Sequence, residues 1–274
     1  MSNIHPIGLA TAIERNEVIA AVCDGREFAV WRDAQGALRA NQNRCPHRGM
    51  RLHLGFVRDD RLHCAYHGWS YDGGGQCRQI PAHPQRVPAR TICLQTYPAA
   101  ERHGLLWLAA DADRATLEAG LGALLLPAGI VATPVRSLYV QAEMAAVRRA
   151  MATLHAPPWA DPLAAFALLD ADGESATWGV GERRLPVVYM RSLAAPGVGT
   201  VVVRGEGLRP QGLVYALQNV GDGRTGIHVC ALWEGQAPAA YRRLLSRHLR
   251  RVEWFLTHAD EPTGAWRAFA AAAA

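Results

Sequence analysis

Four side chains in the first third of the chain have the types and spacing of metal ligands. Cys45 and His47 lie in Cys45-Pro46-His47-Arg48-Gly49, and Cys64 and His67 in Cys64-Ala65-Tyr66-His67-Gly68. A C-x-H loop is thus followed by a C-x-x-H loop. Two thiolates and two imidazoles at such spacing fit either a tetrahedral zinc or a two-iron cluster. The order of ligands bears on the choice. The common zinc finger puts its two Cys together and its two His together, whereas here each loop carries one of each. A [2Fe–2S] centre held by two Cys on one iron and two His on the other needs that mixed pairing. Gly49 and Gly68 follow the ligand pairs, where a Cβ would crowd the passage of the backbone past the sulfides.

The match runs beyond the four ligands. Cys45-Pro46-His47-Arg48-Gly49 is followed by Leu52 and Gly55. Cys64-Ala65-Tyr66-His67-Gly68-Trp69 is followed by Tyr71-Asp72, Gly75, Cys77 and Ile80-Pro81. Together these resemble the N-terminal domain of the Rieske non-haem iron oxygenases, and within them the vanillate-demethylase-like monooxygenases. Tyr97-Pro98, Glu101-Arg102-His103-Gly104-Leu105 and Trp107 extend the resemblance. It implies that Cys45, His47, Cys64 and His67 hold a [2Fe–2S] cluster, with the His ligands nearer the surface where electrons leave. Respiratory Rieske proteins carry an extra Cys in each loop, and these form a disulfide over the cluster. Residues such as Met50 and Ala65 stand there instead. Trp69 stands where the high-potential type has a hydroxyl that bonds a cluster sulfur. Fewer donors to the sulfurs imply a potential at the low end of the Rieske range, about −150 mV. That suits a link between a reductase and an oxygen-activating iron.

Composition sets outer limits. The 274 residues allow one large domain or two ordinary ones, and half are apolar. The net charge of +5 is carried by Arg, since the chain has no Lys, which suits an acidic ferredoxin or reductase partner. No basic run interleaved with aromatics points to nucleic acid, and no apolar run reaches the ~20 residues of a membrane span. The N-terminus lacks the pattern of a signal peptide, so the cytoplasm is the expected compartment. Besides the two ligand thiols, Cys23, Cys77, Cys93 and Cys230 are scattered, which argues against a disulfide framework. Cys77 reads as a packing residue. His53, His63, His83 and His103 lack ligand spacing and read as satisfied or exposed.

The elements that must position the ligands are short strands. Glu17–Cys23 and Arg26–Arg32 alternate around Asp24-Gly25, a tight-turn pair, and Leu38–Gln42 follows. Phe56–Arg58 and Arg61–His63 flank Asp59-Asp60 and lead into the second ligand loop. Trp69–Tyr71, Thr91–Tyr97 and Leu105–Ala109 complete the set, with 98–104 as a connection and Ile80 to Pro88 irregular. Residues 1–112 therefore read as an all-β Rieske domain. Asp111 to Pro127 has a helical pattern. Then come a strand at Val135–Glu143, a helix at Met144–Thr153, and strands at Phe166–Asp170, Ala176–Trp178, Leu185–Arg191, Gly199–Arg204, Gly212–Val220 and Gly226–Leu232. A long amphipathic helix at Ala239 to His258 carries Leu244, Leu245, Leu249, Val252, Phe255 and Leu256 on one side. Residues 113–274 thus form an α+β domain, and the resemblance implies a helix-grip (START-like) fold there.

The same resemblance implies a second metal site, a mononuclear iron held by two His and one carboxylate. The family's motif has an Asp, then two residues, then a His, with another His four or five residues on. Here the stretch reads Ala152-Thr153-Leu154-His155-Ala156-Pro157-Pro158-Trp159-Ala160. His155 matches the first His. Ala152 stands at the bridging Asp, and Trp159 and Ala160 at the second His. A lone imidazole lacks the chelating set, and alanine offers no acceptor, so His155 reads as a packing remnant. Asp161, one or two residues past that position, is the candidate replacement for the second His, and Glu253, Asp260 and Glu261 are the candidates for the carboxylate. No catalytic residue is assigned, and the mononuclear iron is expected to be absent.

Three readings follow. The first is an electron-carrying Rieske subunit that serves the iron of a partner oxygenase chain, in an α3β3 hetero-oligomer or a homotrimer, with a reductase or ferredoxin as donor. The second is an active monooxygenase, a demethylase or hydroxylase, with an unusual iron site. The third is a redox-sensing or ligand-binding protein.

Overall fold

The computed structural model describes residues 4–122, 124, 126, 128–147 and 212–258, and the backbone of four strand segments between 166 and 203. Eleven short strands occupy its first part. They are β1 (Ile4–Leu9), β2 (Val18–Cys23), β3 (Arg26–Arg32), β4 (Leu38–Gln42), β5 (Phe56–Arg58), β6 (Arg61–His63), β7 (Ser70–Tyr71), β8 (Cys77–Gln79), β9 (Thr96–Tyr97), β10 (Ala99–Arg102) and β11 (Leu105–Ala109). They form three antiparallel sheets in the orders β1-β11-β10, β2-β3-β4-β9 and β5-β6-β7-β8. Asp24-Gly25 and Asp59-Asp60 turn two of the hairpins with all four residues at positive φ, the conformation whose twist matches the flanking strands.

Three expectations need correction here. Residues 99–102 are not part of a connection but strand β10, paired to β11 across a turn at His103-Gly104. Of Thr91–Tyr97, only Thr96–Tyr97 is strand. Strand β1, absent from the sequence reading, closes the other edge of β11. For β1 and β10, pairing with the wholly buried β11 decides the conformation over local propensity, and β9 is only as long as its pairing with β4.

Helix α1 (Arg114–Gly122) follows, capped by Asp113, whose Oδ1 accepts from the Thr116 amide at 2.8 Å. Seven strands then make one antiparallel sheet. They are β12 (Ile130–Val140), β13 (Phe166–Ala171), β14 (Ser175–Val180), β15 (Arg183–Arg191), β16 (Val198–Val203), β17 (Gly212–Gly221) and β18 (Arg224–Glu234), in the order β12-β18-β17-β16-β15-β14-β13. Helix α2 (Ala239–His258) ends the described chain. The helix expected at Met144–Thr153 is helical over 144–147, and its remainder lies outside the described residues.

Strands β17 and β18 bury both faces. Leu213, Tyr215, Leu217, Ile227, Val229 and Ala231 pack with Leu245, Leu249, Val252 and Leu256 of α2. The side chains of Leu244 and Phe255 lie outside those described. The intervening Val214, Ala216, Cys230 and Leu232 pack with Ile4, Leu9, Leu105 and Trp107 of the first sheet and with Leu117 and Leu121 of α1. Because side chains alternate across a strand, one pair of strands serves two cores. That is why these segments read as near-continuous apolar runs.

A polar chain crosses the same seam. The Gln218 side-chain amide donates to the Val22 carbonyl at 2.7 Å, so its Oε1 faces His228 Nε2 at 2.8 Å. The ring must therefore donate from Nε2 and accept at Nδ1 from the Ser137 hydroxyl, 2.8 Å away. The Asp24 and Gly25 amides donate to the Asn219 and Val220 carbonyls at 2.9 and 3.0 Å.

Two predictions follow from this packing. Burial drops the His228 pKa to about 4 from an ordinary 6.5. The unfolded chain then binds the extra proton between pH 6.5 and pH 4, so this contribution is complete above pH 6.5 and is lost as pH falls toward 4. It amounts to about 3 kcal/mol, and urea melts across that range should show a shallower pH slope for His228→Gln than for the wild type. The second concerns Gly55, where an added Cβ would lie 1.9 Å from the His63 carbonyl oxygen. Gly55→Ala should cost about 1–3 kcal/mol, and a melt as stable as wild type would show that this approach relaxes freely.

Candidate metal centre

The two ligand loops are built alike. In the first, the Cys45 amide donates to Met50 O at 2.9 Å and the Gly49 amide to Cys45 O at 2.8 Å. In the second, the Cys64 amide donates to Trp69 O at 2.9 Å and the Gly68 amide to Cys64 O at 3.0 Å. Each loop is a tight turn closed by the same two bonds, and each puts its glycine at a φ near +70°. That conformation, rather than crowding at the ligands, is what requires glycine at Gly49, where an added Cβ meets nothing within 4 Å. At Gly68 a Cβ would also lie 2.9 Å from Pro81 Cγ. The first loop is anchored at Asn43, whose carbonyl accepts from the Leu52 amide and whose side chain accepts from the His53 amide. Gly55 brings that loop against the last residue of β6, directly before Cys64.

The sulfurs and the imidazoles face different media. Cys45 and Cys64 are 3% and 2% exposed, in a cluster with Trp31, Leu52, Leu62, Tyr71, Cys77 and Leu94. His47 is half-buried and His67 exposed. Their rings come to 4.6 Å between centroids. His47 stacks on Trp69, 4.4 Å away and within 5° of parallel, and His67 packs on Tyr66 at 3.8 Å. Two stacking partners hold the imidazoles side by side at the surface. Burial pushes the Cys45 thiol up; the Tyr71 hydroxyl and the backbone at His47 pull it back down. Desolvation, then His67 and Arg48, lower the pKa of His47, which favours the neutral, ligating form. All six cysteines are free of disulfides.

The Tyr71 hydroxyl lies 3.1 Å from Cys45 Sγ, and a thiolate there would accept its hydrogen bond. Sequence reasoning listed Tyr71 among the residues of the motif but missed this contact. Both residues of β7 are buried, and Tyr71 shares the apolar cluster with the two ligand sulfurs, a placement that no local pattern announces.

The remaining candidates lie elsewhere. His53 pairs with the Asn43 side chain, His63 stacks on Phe56 and meets the Arg58 carbonyl, and His103 meets the Leu124 carbonyl. His83 is exposed. Cys77 is buried in the apolar cluster. Glu253 on α2 faces Arg136 at 3.9 Å. Ala152, His155, Trp159, Ala160, Asp161, Asp260 and Glu261 lie outside the described residues. Around the paired loops, Arg44, Arg48, Arg51 and Arg58 are exposed. Glu27 is gripped by Arg51 at 2.8 Å and by Arg44 at 3.6 Å.

Paired thiols beneath paired imidazoles can hold a two-iron group and pass electrons at the imidazole side. Comparison with known proteins agrees. The profile of the Rieske [2Fe-2S] domain matches residues 3–98. Oxidoreductase NdmD of Pseudomonas putida is 42% identical over 103 residues, which is 37% of this chain and 18% of that protein. Methylxanthine N1-demethylase NdmA of the same organism is 32% identical over 115 residues, 41% of this chain and 30% of that one. The chain thus spans under a third of the length of these curated relatives. Solved structures share the fold more widely. NdmA of Pseudomonas putida superposes with a TM-score of 0.62 at 19% identity, over 92% of this chain and 79% of that one. Dicamba monooxygenase bound to 3,6-dichlorosalicylic acid gives 0.65 at 17% identity, over 98% and 87%. No described helix is long and apolar enough to cross a membrane. On the geometry of its two loops and on this likeness, residues 3–98 of the chain are a Rieske [2Fe–2S] domain.

Proposed function

We propose that Cys45, His47, Cys64 and His67 hold a Rieske [2Fe–2S] cluster, and that the chain carries electrons from a reductase or ferredoxin to the mononuclear iron of a partner oxygenase chain. The observation behind this reading is a complete first motif beside an incomplete second one, with Ala152 and Trp159-Ala160 standing where an Asp and a His are needed. The donor chemistry supports it, because two buried sulfurs and two outward imidazoles match the unequal ligation of such a cluster. When bound, the cluster supplies a one-electron store. The chain's own residues keep water from the sulfurs, hold the imidazoles in register through Trp69 and Tyr66, and place a hydroxyl at Cys45. Exposed Arg48, whose charge acts on His47, gives the imidazole side a positive neighbour suited to an acidic donor protein. In this reading residues 113–274 are a helix-grip domain that has lost its iron, the assembly is an α3β3 hetero-oligomer or a homotrimer, and the compartment is the cytoplasm.

A working monooxygenase with a rebuilt iron site is the second reading, favoured by a fold likeness that reaches 98% of the chain. Metal analysis separates the two. The electron-carrying subunit should hold two irons per chain with a Rieske-type signal after dithionite and give no nitrosyl signal with NO. A third iron that binds NO would sink it and select the second reading. The tyrosine contact makes a further prediction. A hydroxyl on a cluster thiolate stabilises the reduced, more negative form, so Tyr71→Phe should lower the midpoint potential by about 40 mV, the equivalent of about 1 kcal/mol for one electron. A redox titration followed by circular dichroism reads this directly. An unchanged potential would mean that the hydroxyl does not serve the sulfur.

A further inference from the structure

Away from the two loops, three donors of different chemistry converge at the seam described above. His5 comes from β1, Cys23 from the end of β2, and Asp24 from the turn that follows. Their ligating atoms, one from each side chain, lie within 4.8 Å of one another. His5 Nε2 and Asp24 Oδ2 are 3.5 Å apart. Cys23 is fully buried and the His5 side chain 16% exposed, whereas the Asp24 side chain is 47% exposed. The cluster therefore has a closed inner wall and an open mouth.

We propose that His5, Cys23 and Asp24 bind a divalent cation of the zinc class. An imidazole nitrogen, a sulfur and a carboxylate oxygen form a borderline-soft donor set, which selects zinc-like ions over calcium or magnesium. Three protein ligands leave a fourth position for water at the open mouth. The charge nearby is suitable. Arg26 is the cation of this corner, and its Nη1 sits 2.6 Å from Asp111 Oδ1, so that pair is nearly neutral and the Asp24 carboxylate supplies net negative charge. On binding, the Cys23 S–H bond breaks, the proton leaves to solvent, and a metal–sulfur bond forms with no change of oxidation state. Burial pushes the free thiol up to about 12, so without a cation Cys23 stays a thiol. The site does not depend on the proposed function. Its effect would be mechanical, because a cation would tie to β1 the turn whose Asp24 and Gly25 amides already bond Asn219 and Val220 of the seven-stranded sheet.

The test uses the full chain with its iron complement in place. Cobalt(II) serves as the optical probe and zinc as the competitor, and iron is counted throughout so that metal in the cysteine–histidine loops is distinguished. One cobalt per chain should bind without loss of iron, with a sulfur-to-cobalt charge-transfer band. Zinc should displace it and raise the melting temperature. His5→Gln and Asp24→Asn should each weaken binding by at least about tenfold and abolish the thermal shift. Asn tolerates the left-handed backbone of Asp24, at φ +49°, so that variant should fold. Cobalt that binds only as iron is lost, or that binds wild type and both variants alike, would overturn the proposal, as would no binding at all.

Discussion

Gly55 is where the backbone of one ligand loop touches the carbonyl of His63 with no room for a side chain between them. The rest of the site depends on that approach. With the loops held together by this approach, less of the ordering of four donors falls on the metal. The chain does this with main-chain contacts rather than long side chains. The two loops then need little else in common beyond their shared pair of hydrogen bonds. Their sulfurs sink into the apolar cluster around Trp31 and Leu62, and their imidazoles are left at the surface with aromatic neighbours. An electron held at such a place sits in a medium of low polarity on one side and meets solvent on the other.

The second constraint is the pair of strands β17 and β18. A sheet that buries one face leaves the other for water, and its strands alternate apolar and polar residues. These two strands bury both faces, one under α2 and one against the first sheet. Polar groups trapped at that level must be satisfied, and the Ser137–His228–Gln218–Val22 chain does so with each donor matched to an acceptor. The arrangement also chooses the imidazole tautomer, with burial rather than a charged neighbour among the described residues setting its titration.

Much of this was legible in the residues. Arg26–Arg32, Leu38–Gln42, Phe56–Arg58, Arg61–His63, Leu105–Ala109 and the last helix have the bounds their patterns imply, because each is an apolar, alternating or periodic run set between turn residues. The C-x-H and C-x-x-H loops pointed to the Rieske domain because ligand order is chemistry, not packing. What escaped detection depended on partners far away in sequence. Ile4–Leu9 and Ala99–Arg102 are strands because β11 lies between them. The Tyr71 hydroxyl became meaningful only once β7 had turned it toward Cys45. The convergence of His5 with Cys23 and Asp24 could not be read, since nothing local joins the first strand to the second.

The contact between the two turns has one more consequence. An added Cβ at Gly221 would lie 2.8 Å from the amide nitrogen of Gly25, and a common apolar core lies beside this contact. Such a joint has no hinge. The paired loops therefore cannot swing on a tether to reach a distant acceptor. Under the function proposed above, whatever receives or supplies an electron has to come to them, and turnover would be paced by docking rather than by motion within this chain.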